Sequence, residues 1–546
     1  MPRGVAPGSF HPRVAAAVIA RNWRTLLWAT PVVAALVYAV VVLAQFRSII
    51  TSIYLSSDTA AAPVLAHLAG GAPAGTQVVL GNHAYYEEFL FLRLTNGLPG
   101  YRQLWEVAPM LWSICGLGVL GLAAWRVFGR FPALLAVSAL LCVGTFGRLV
   151  AFTFDWHGLT IVHTIVIAGA LVWIVPRAAS LSWLRVVALA VVLGLIGVLP
   201  AASDQLFVFW ALVPMVVTGF ALAWRGAGPM RARMATFGVV AAVVSLVGGA
   251  LVAHAMRAGG VTAFPFGYTL VPAASVLNNI LLSFESYMYI AGGYFFGLGT
   301  SFSAWAVVAS GVLTLAALVF VVVEVRRRVA LASPRMTGGD PQVGVRFAYV
   351  VFWTTCLLVA TAVFLLTSAP VDVNGARYIL AGYVAIAALL PLVVTRGFGW
   401  RLAVSAAVCV FAISAVYQAT TQSFTNTALS QANLLARYAR AQHVTYGFGD
   451  YWDADYITWT TRFKLRVYPV VECTPTHGLC IFRTVYISSS YIPRRHTRSL
   501  LIVDPGQAAP TITAVDPALG TPIASTTIGS LSVYVFPYDI ATKLAG

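Results

Sequence analysis

Charge is scarce in this chain. Only 9% of its 546 residues are charged and 60% are hydrophobic, whereas a soluble domain carries about 25% charged residues. That shortfall excludes an ordinary water-soluble enzyme. Acids are the scarcer sign, with 17 Asp and Glu against 34 Lys and Arg, and only Lys464 and Lys543 are lysines. In a soluble protein the net charge of +17 would point to nucleic acid. Here the arginines fall in short loops between apolar runs, so membrane orientation accounts for them and no nucleic acid is expected. Also missing are a glycine-rich phosphate loop before a basic residue, an HExxH pair and a serine nucleophile elbow. An ATP-driven pump and a membrane metalloprotease therefore have no support.

Long apolar runs are abundant. They cover 25–46, 107–125, 131–150, 159–176, 182–200, 204–223, 234–254, 300–324, 346–367, 377–395 and 400–418. Each is long enough to cross a hydrocarbon core of about 30 Å. A polytopic α-helical membrane protein with about 11 transmembrane helices is expected, its first helix an uncleaved anchor. The stretch 262–299 is apolar enough to enter the membrane, but one crossing there would invert every later loop. It is expected as an outer loop with a re-entrant or surface-lying helix.

Arginine placement orients the helices. An inside N-terminus puts Arg3, Arg13, Arg21, Arg24, Arg126, Arg130, Arg177, Arg185, Arg225, Arg231, Arg233, Arg326, Arg327, Arg328, Arg335, Arg346, Arg396 and Arg401 in the cytoplasm. Only Arg47, Arg93, Arg102, Arg148, Arg257 and Arg377 then fall outside before residue 419, which is the positive-inside pattern. The acids sort the opposite way. Glu324 and Asp340 lie inside; Asp58, Glu87, Glu88, Glu106, Asp155, Asp204, Glu285 and Asp372 lie outside. Carboxylates at a membrane boundary are costly to desolvate and tend to face a cavity or a partner, so the working face is expected to be extracytoplasmic.

After residue 419 polar residues become common, and LRVYPVVE, LCIFRTVYIS, SLLIVD and SLSVYVFPY read as strands. The expected division is 1–418 as the transmembrane domain, with a long first outer loop at 47–106, and 419–546 as a small extracytoplasmic domain, β or mixed α/β. Cys115, Cys142, Cys356 and Cys409 lie in spans as small apolar fillers. Cys473 and Cys480 are the tail's pair, and a disulfide is favoured over free thiols. A zinc site would need more ligands than the nearby His477 supplies.

Candidate site residues concentrate in the outer loops. Asp58 lies about a dozen residues past the first span, placed to take a proton from an acceptor hydroxyl attacking a lipid-linked sugar. The other reading is an N-cap, since Ser56, Ser57, Asp58 and Thr59 all suit the start of a helix, and both can hold at once. His83, Tyr85, Tyr86, Glu87 and Glu88, followed by Arg93 and Arg102, offer stacking faces for sugar and guanidinium groups for phosphate; an interfacial aromatic belt is the other reading. Asp155 and His157 in FTFDWHG are two positions apart, too few for a metal site but suited to substrate binding or loop bracing. Asp204 is a candidate ligand or an N-cap. Asp372 and Arg377 either pair with each other, or Arg377 holds a lipid phosphate. In the tail, Asp453 and Asp455 of YWDADYITW read as a coincidence or a surface Ca²⁺ site. Tyr451, Trp452, Tyr456 and Trp459 around them read as core or as a sugar-contacting patch.

These features resemble the GT-C superfamily of polytopic membrane glycosyltransferases. The resemblance rests on the long first outer loop with YLSSDTAAAP, on FDWHG and SDQLFVFW, and on NGARYIL, which is similar to an RYxLP-type motif with Ala381 where proline is often seen. The tail YGFGDYWDADYITWTTRFKLRVYPV looks like that of a bacterial subgroup. The resemblance implies a multi-pass bacterial plasma-membrane enzyme. It would move a sugar from a polyprenyl-phosphate carrier to a glycan, lipid or protein acceptor of the cell envelope, on the extracytoplasmic face. Asp58 would be the general base of an inverting displacement. A monophosphate leaving group needs no obligatory metal, though a divalent cation is possible. The competing readings are a secondary transporter or flippase for lipid-linked sugars and a non-catalytic envelope-assembly subunit. The near absence of charge within the spans disfavours a transporter.

Overall fold

The structure, a computed structural model, describes residues 29–544 except 82–84, 155, 179, 226–228, 264–266, 299–300, 332–340, 423–426, 474–477, 507–511, 513–514 and 516. His83, Asp155 and His477 lie outside the described residues, as do Arg3, Arg13, Arg21, Arg24, Arg335 and Asp340.

The apolar runs are helices. The first, α1 (Ala29–Ala44), turns by 64° into α2 (Phe46–Ile53). The first loop then folds as α3 (Ser57–Gly70), β1 (Val78–Leu80) and α4 (Tyr86–Thr95). Next come α5 (Tyr101–Phe128), α6 (Arg130–Leu141), α7 (Thr145–Phe152), α8 (Gly158–Ile174), α9 (Trp183–Ile196) and α10 (Val198–Ser203). A helix from Gln205 to Arg225 contains α11 (Gln205–Phe207), a π turn at Val208–Leu212 and α12 (Val213–Arg225). The bundle continues with α13 (Pro229–Ala258), β2 (Val261–Ala263), α14 (Ala273–Ile290), α15 (Phe302–Leu331), α16 (Pro341–Leu366), α17 (Leu380–Val394) and α18 (Phe398–Thr421).

Among the described residues, eight helices are long and apolar enough to cross a membrane singly, and two bent pairs, α1–α2 and α6–α7, raise this to ten. The eleventh expected span is the shorter apolar helix α9. The described part of every expected run thus falls on helix, but the single span expected at 131–150 is broken: α6 and α7 meet at 96°. The break is at Gly144, where an added Cβ would collide with the backbone of Gly292. It also carries Arg148 off the expected outer loop into α7, where the side chain is buried and bonded to Gln422 at 2.7 Å. Helix α14 lies in the stretch expected as an outer loop. Its Tyr287 is buried, bonds Thr361 at 3.3 Å and closely approaches Gly382. Every residue of α17 is buried, so it is the axis of the bundle.

Loops expected on one side of the membrane cluster at one end. Glu324, fully buried at the end of α15, pairs with Arg328 at 2.7 Å and with Arg396, beyond α17, at 2.9 Å. Arg346 donates to the Val127 carbonyl and Arg233 to that of Ala178 at the same ends of their helices. The opposite end carries the first loop and the tail.

The tail comprises α19 (Thr427–Ala441), β3 (Tyr446–Gly449), α20 (Tyr451–Thr460), β4 (Arg466–Glu472), β5 (Leu479–Ile481), β6 (Tyr486–Ile487), β7 (Ser499–Val503), β8 (Ala524–Ile528) and β9 (Leu531–Phe536). Six strands form one sheet in the order β5-β4-β3-β7-β9-β8. Strands β4 and β7 run parallel to β3, and the remaining pairings are antiparallel. Cys473 and Cys480 are disulfide-bonded, with Cα atoms 5.3 Å apart. A second sheet, β2-β1-β6, joins the tail to the bundle. In it Val78 pairs with Val261 in parallel and with Ile487 antiparallel. Around this join one apolar core runs from Tyr38 and Ile50 through Trp105 to Ile457 and Val533.

Candidate functional site

The turn between α7 and α8 is strained. Trp156 and His157 both have positive φ, 59° and 66°, a conformation that costs a non-glycine residue about 1–3 kcal/mol. Gly158 permits it, because a Cβ there would come 2.8 Å from the Val150 carbonyl and 2.9 Å from that of Thr153. The turn aims His157 at Asp204. The Asp204 side chain caps α11 by accepting from the Leu206 amide at 2.9 Å, so the N-cap reading was sound. Its other oxygen accepts from His157 Nδ1 at 2.7 Å and from the Thr160 hydroxyl. Tyr85 Oη lies 2.9 Å from the same nitrogen. With Nδ1 donating to the carboxylate, Nε2 of His157 is the acceptor nitrogen. The π turn follows at once, a feature that often marks functional positions.

Arg377 approaches this group from a 3₁₀ turn at Val373–Ile379. Asp372 does not pair with it; both Asp372 oxygens accept from Asn374, at 2.9 and 3.2 Å. The Arg377 guanidinium sits 4.7 Å from the Trp156 ring and 4.9 Å from that of Tyr378, and donates to the Tyr378 hydroxyl at 3.1 Å. Its Nε is buried without a hydrogen-bond partner, and no carboxylate among the described residues forms an ion pair with it. The Tyr378 ring lies 5.5 Å from His157 and 5.8 Å from Tyr268.

The HAYYEEF segment supplies the adjoining wall. Glu87 accepts from His163 Nε2 at 2.8 Å, and its amide donates to Ser203 next to Asp204. Tyr85, Tyr86 and Glu88 are buried, so an exposed interfacial belt is not what they form. Tyr86 accepts from the Ala263 amide at 3.2 Å, tying the wall to β2. The structure therefore gathers Tyr85, Glu87, His157, Asp204 and Arg377, which are scattered through the sequence. Trp156 and Tyr378 were inside quoted motifs but had no stated role, and Thr160 and Tyr268 gave no sequence signal.

Asp58 and Arg102 lie elsewhere. The N-cap of α3 is Ser56, and Asp58 sits within the first turn, so the helix starts inside the expected SSDT run with Ser56 at the cap position. The half-buried Asp58 carboxylate accepts from the Tyr451 hydroxyl of α20. Beside it, Ser57 donates to the Trp452 carbonyl at 2.8 Å. Arg102 lies over Trp459, 3.9 Å from the ring centroid.

Asp453 and Asp455 are buried in α20 rather than lying on a surface, so the surface Ca²⁺ reading fails. Among the described residues no three His, Cys, Asp or Glu side chains are grouped as metal ligands. Tyr451, Tyr456 and Trp459 are likewise buried and belong to the core. Burial pushes Asp455 up to about 8, and the nearby charge of Asp58 adds to the shift. Burial pushes Asp453 up to about 8 as well, with Asp450 and then Asp504 contributing.

A folded pKa above the unfolded one means that the native state holds protons the unfolded chain has released. The contribution of these two groups to stability is therefore fully present below the usual carboxylate range and is lost as pH rises toward 8. Asp455→Asn should flatten this decline, with a gain on the order of a few kcal/mol at pH 8. Thermal unfolding of the full chain at pH 6 and pH 8 checks it; parallel losses in wild type and variant would refute the assignment.

No protein-family model matches the sequence, and no curated protein matches it. Solved structures that match along most of the chain include two at low identity. One is ArnT from Cupriavidus metallidurans bound to undecaprenyl phosphate, with 12% identity, 91% of this chain and 97% of that chain covered, and a TM-score of 0.49. The other is the Archaeoglobus fulgidus oligosaccharyltransferase in complex with Zn and sulfate, with 12% identity, 80% and 62% covered, and a TM-score of 0.43.

Proposed function

We propose that this chain is a GT-C-type membrane glycosyltransferase that moves a sugar from a polyprenyl-phosphate carrier to a cell-envelope acceptor on the extracytoplasmic face of a bacterial plasma membrane. The observation that carries the reading is Arg377. It is a planar cation stacked on Trp156, has a buried donor without a partner and no described carboxylate paired to it, and stands beside His157 and Asp204 at the tail end of an apolar bundle. Arginine in that setting suits a phosphate that arrives with a lipid chain. Tyr85, Tyr378 and Tyr268 provide ring faces and hydroxyls for a sugar next to it.

In this reaction the acceptor hydroxyl attacks the anomeric carbon as the bond from that carbon to the phosphate oxygen breaks. Asp58 takes the hydroxyl proton, the configuration inverts, and polyprenyl phosphate leaves with its charge against Arg377. Asp58 lies outside the Arg377 cluster and is joined to it through α4, which packs on α3 and on α10, so the reaction requires a donor whose phosphate meets Arg377 while its anomeric carbon faces Asp58. A monophosphate leaving group bound by a guanidinium places no requirement on a metal.

Sugar release by the purified chain from a panel of polyprenyl-phosphate sugars, with membrane-extracted acceptors, tests the reading. Arg377→Gln should cut turnover by about 10²-fold while leaving the fold intact. Undiminished turnover in that variant would remove Arg377 from the site. No release with any donor, together with carrier movement across a vesicle membrane, would favour the flippase reading.

A further inference from the structure

A basic cavity lies where the tail meets the bundle, and none of the Arg377 cluster lines it. It has a volume of about 610 Å³ and is lined by Arg47, Tyr54, Arg102, Glu106, Trp459 and Arg462, with apolar Phe46, Ile50 and Val107 at its edge. A neighbouring hollow of similar volume shares Leu429, Thr460 and Arg462 and adds Arg437, Arg440 and Lys464. Six cations thus border these two adjoining hollows, taken together as a groove, and among the described residues Glu106 is the only carboxylate lining them. Among the described residues none of the six forms an ion pair.

Arg102 is fixed in place. It lies flat on Trp459, donates Nη2 to that residue's carbonyl at 3.0 Å, and has a buried Nη1 without a hydrogen-bond partner. A buried donor left unsatisfied on a cation is costly, and an anion in the cavity would relieve it. The apolar edge continues onto lipid-facing surface, where Leu43 of α1 and Leu111 of α5 are more than half exposed. A ligand fitting both features has a phosphate head and a hydrocarbon tail.

We propose that this groove binds the phosphate headgroup of an anionic membrane lipid, clamping α19 and α20 of the tail against α2 and α5. The lipid's acyl chain runs beside Leu43 and Leu111. Neutral lipids lack the charge that the guanidinium wall selects, and free phosphate lacks the tail that the apolar edge accepts. The site does not rest on the glycosyl-transfer reading.

Native mass spectrometry of the detergent-purified full chain tests this with phosphatidylglycerol, phosphatidylcholine and inorganic phosphate as probes. Phosphatidylglycerol should be retained in preference to phosphatidylcholine and should raise the melting temperature. Inorganic phosphate at equal concentration should do neither. Replacing Arg47 and Arg462 together by Gln should weaken phosphatidylglycerol binding more than about tenfold, since each cation near a headgroup is worth roughly fivefold. Both side chains are exposed, and the second pair Arg437→Gln and Arg440→Gln serves if that variant is lost in purification. Equal retention of both lipids, or binding unchanged in these variants, would overturn the proposal. Equal stabilisation by inorganic phosphate would overturn the lipid assignment in favour of a soluble phosphate.

Discussion

Asp58→Asn should abolish most turnover. The carboxylate accepts from Tyr451 at the seam between first loop and tail, and an amide of the same shape keeps an acceptor oxygen for that hydroxyl while losing the basicity. The expected loss is about 10²–10⁴-fold in kcat, the usual contribution of a general base, with little change in KM for the donor. A folding control is built into the neighbourhood. Asp58 contributes to the raised pKa of Asp455, so removing its charge should ease the stability loss near pH 8 rather than deepen it. A variant that melts no lower than wild type yet does not turn over would establish the base. Turnover equal to wild type would eliminate Asp58 and direct attention to the His157–Asp204 pair, whose acceptor nitrogen is the next strongest candidate. Tyr451→Phe separates positioning from chemistry: loss of one hydrogen bond to a charged acceptor should cost about tenfold.

The largest effect on stability should come from the other end of the bundle. Glu324 is fully buried and pairs with Arg328 and Arg396, with Arg327 farther off at 3.5 Å. Glu324→Ala removes the one carboxylate from among three guanidiniums, and breaking a buried pair from one side costs about 3–5 kcal/mol. Arg327 is half exposed and contributes little. A double-mutant cycle between Glu324 and Arg396, read by thermal unfolding, should show coupling of about 1 kcal/mol or more. Additive losses would mean that the two side chains act independently.

The sequence foretold the bundle because a membrane imposes a length rule, and apolar runs that satisfy it have few alternatives. It could not reveal the bends after Ala44 and Leu141, which depend on what packs against the break. The tail runs LRVYPVVE, SLLIVD and SLSVYVFPY did become β4, β7 and β9. Strand β3, the parallel partner of β4 and β7, was missed because YGFG is four residues with two glycines and lacks the branched residues that mark a strand. YWDADYITW was misplaced for a related reason: two aspartates suggest water, yet neighbouring aromatics and the sheet bury them in a helix. At the site, residue type was informative and partnership was not. His157, Asp204 and Arg377 are recognisable as rare polar residues beside apolar spans. That His157 bonds Asp204, or that Tyr451 reaches Asp58 across 393 positions, is a property of the folded topology alone.

The small sheet β2-β1-β6 bears on how the protein is made. Its strands come from positions 78, 261 and 487, so the centre strand is synthesised about 400 residues ahead of its last neighbour, which follows the whole bundle. The same delay governs Asp58, whose tyrosine partner is also supplied by the tail. A nascent chain can thus insert its whole helical bundle while its first loop still lacks both an edge and a hydrogen-bond donor. Long-range pairings of this kind form slowly. The first loop is then fully paired only once Tyr451 and Ile487 have been made, and a chain released before them would hold an inserted bundle with that loop incomplete.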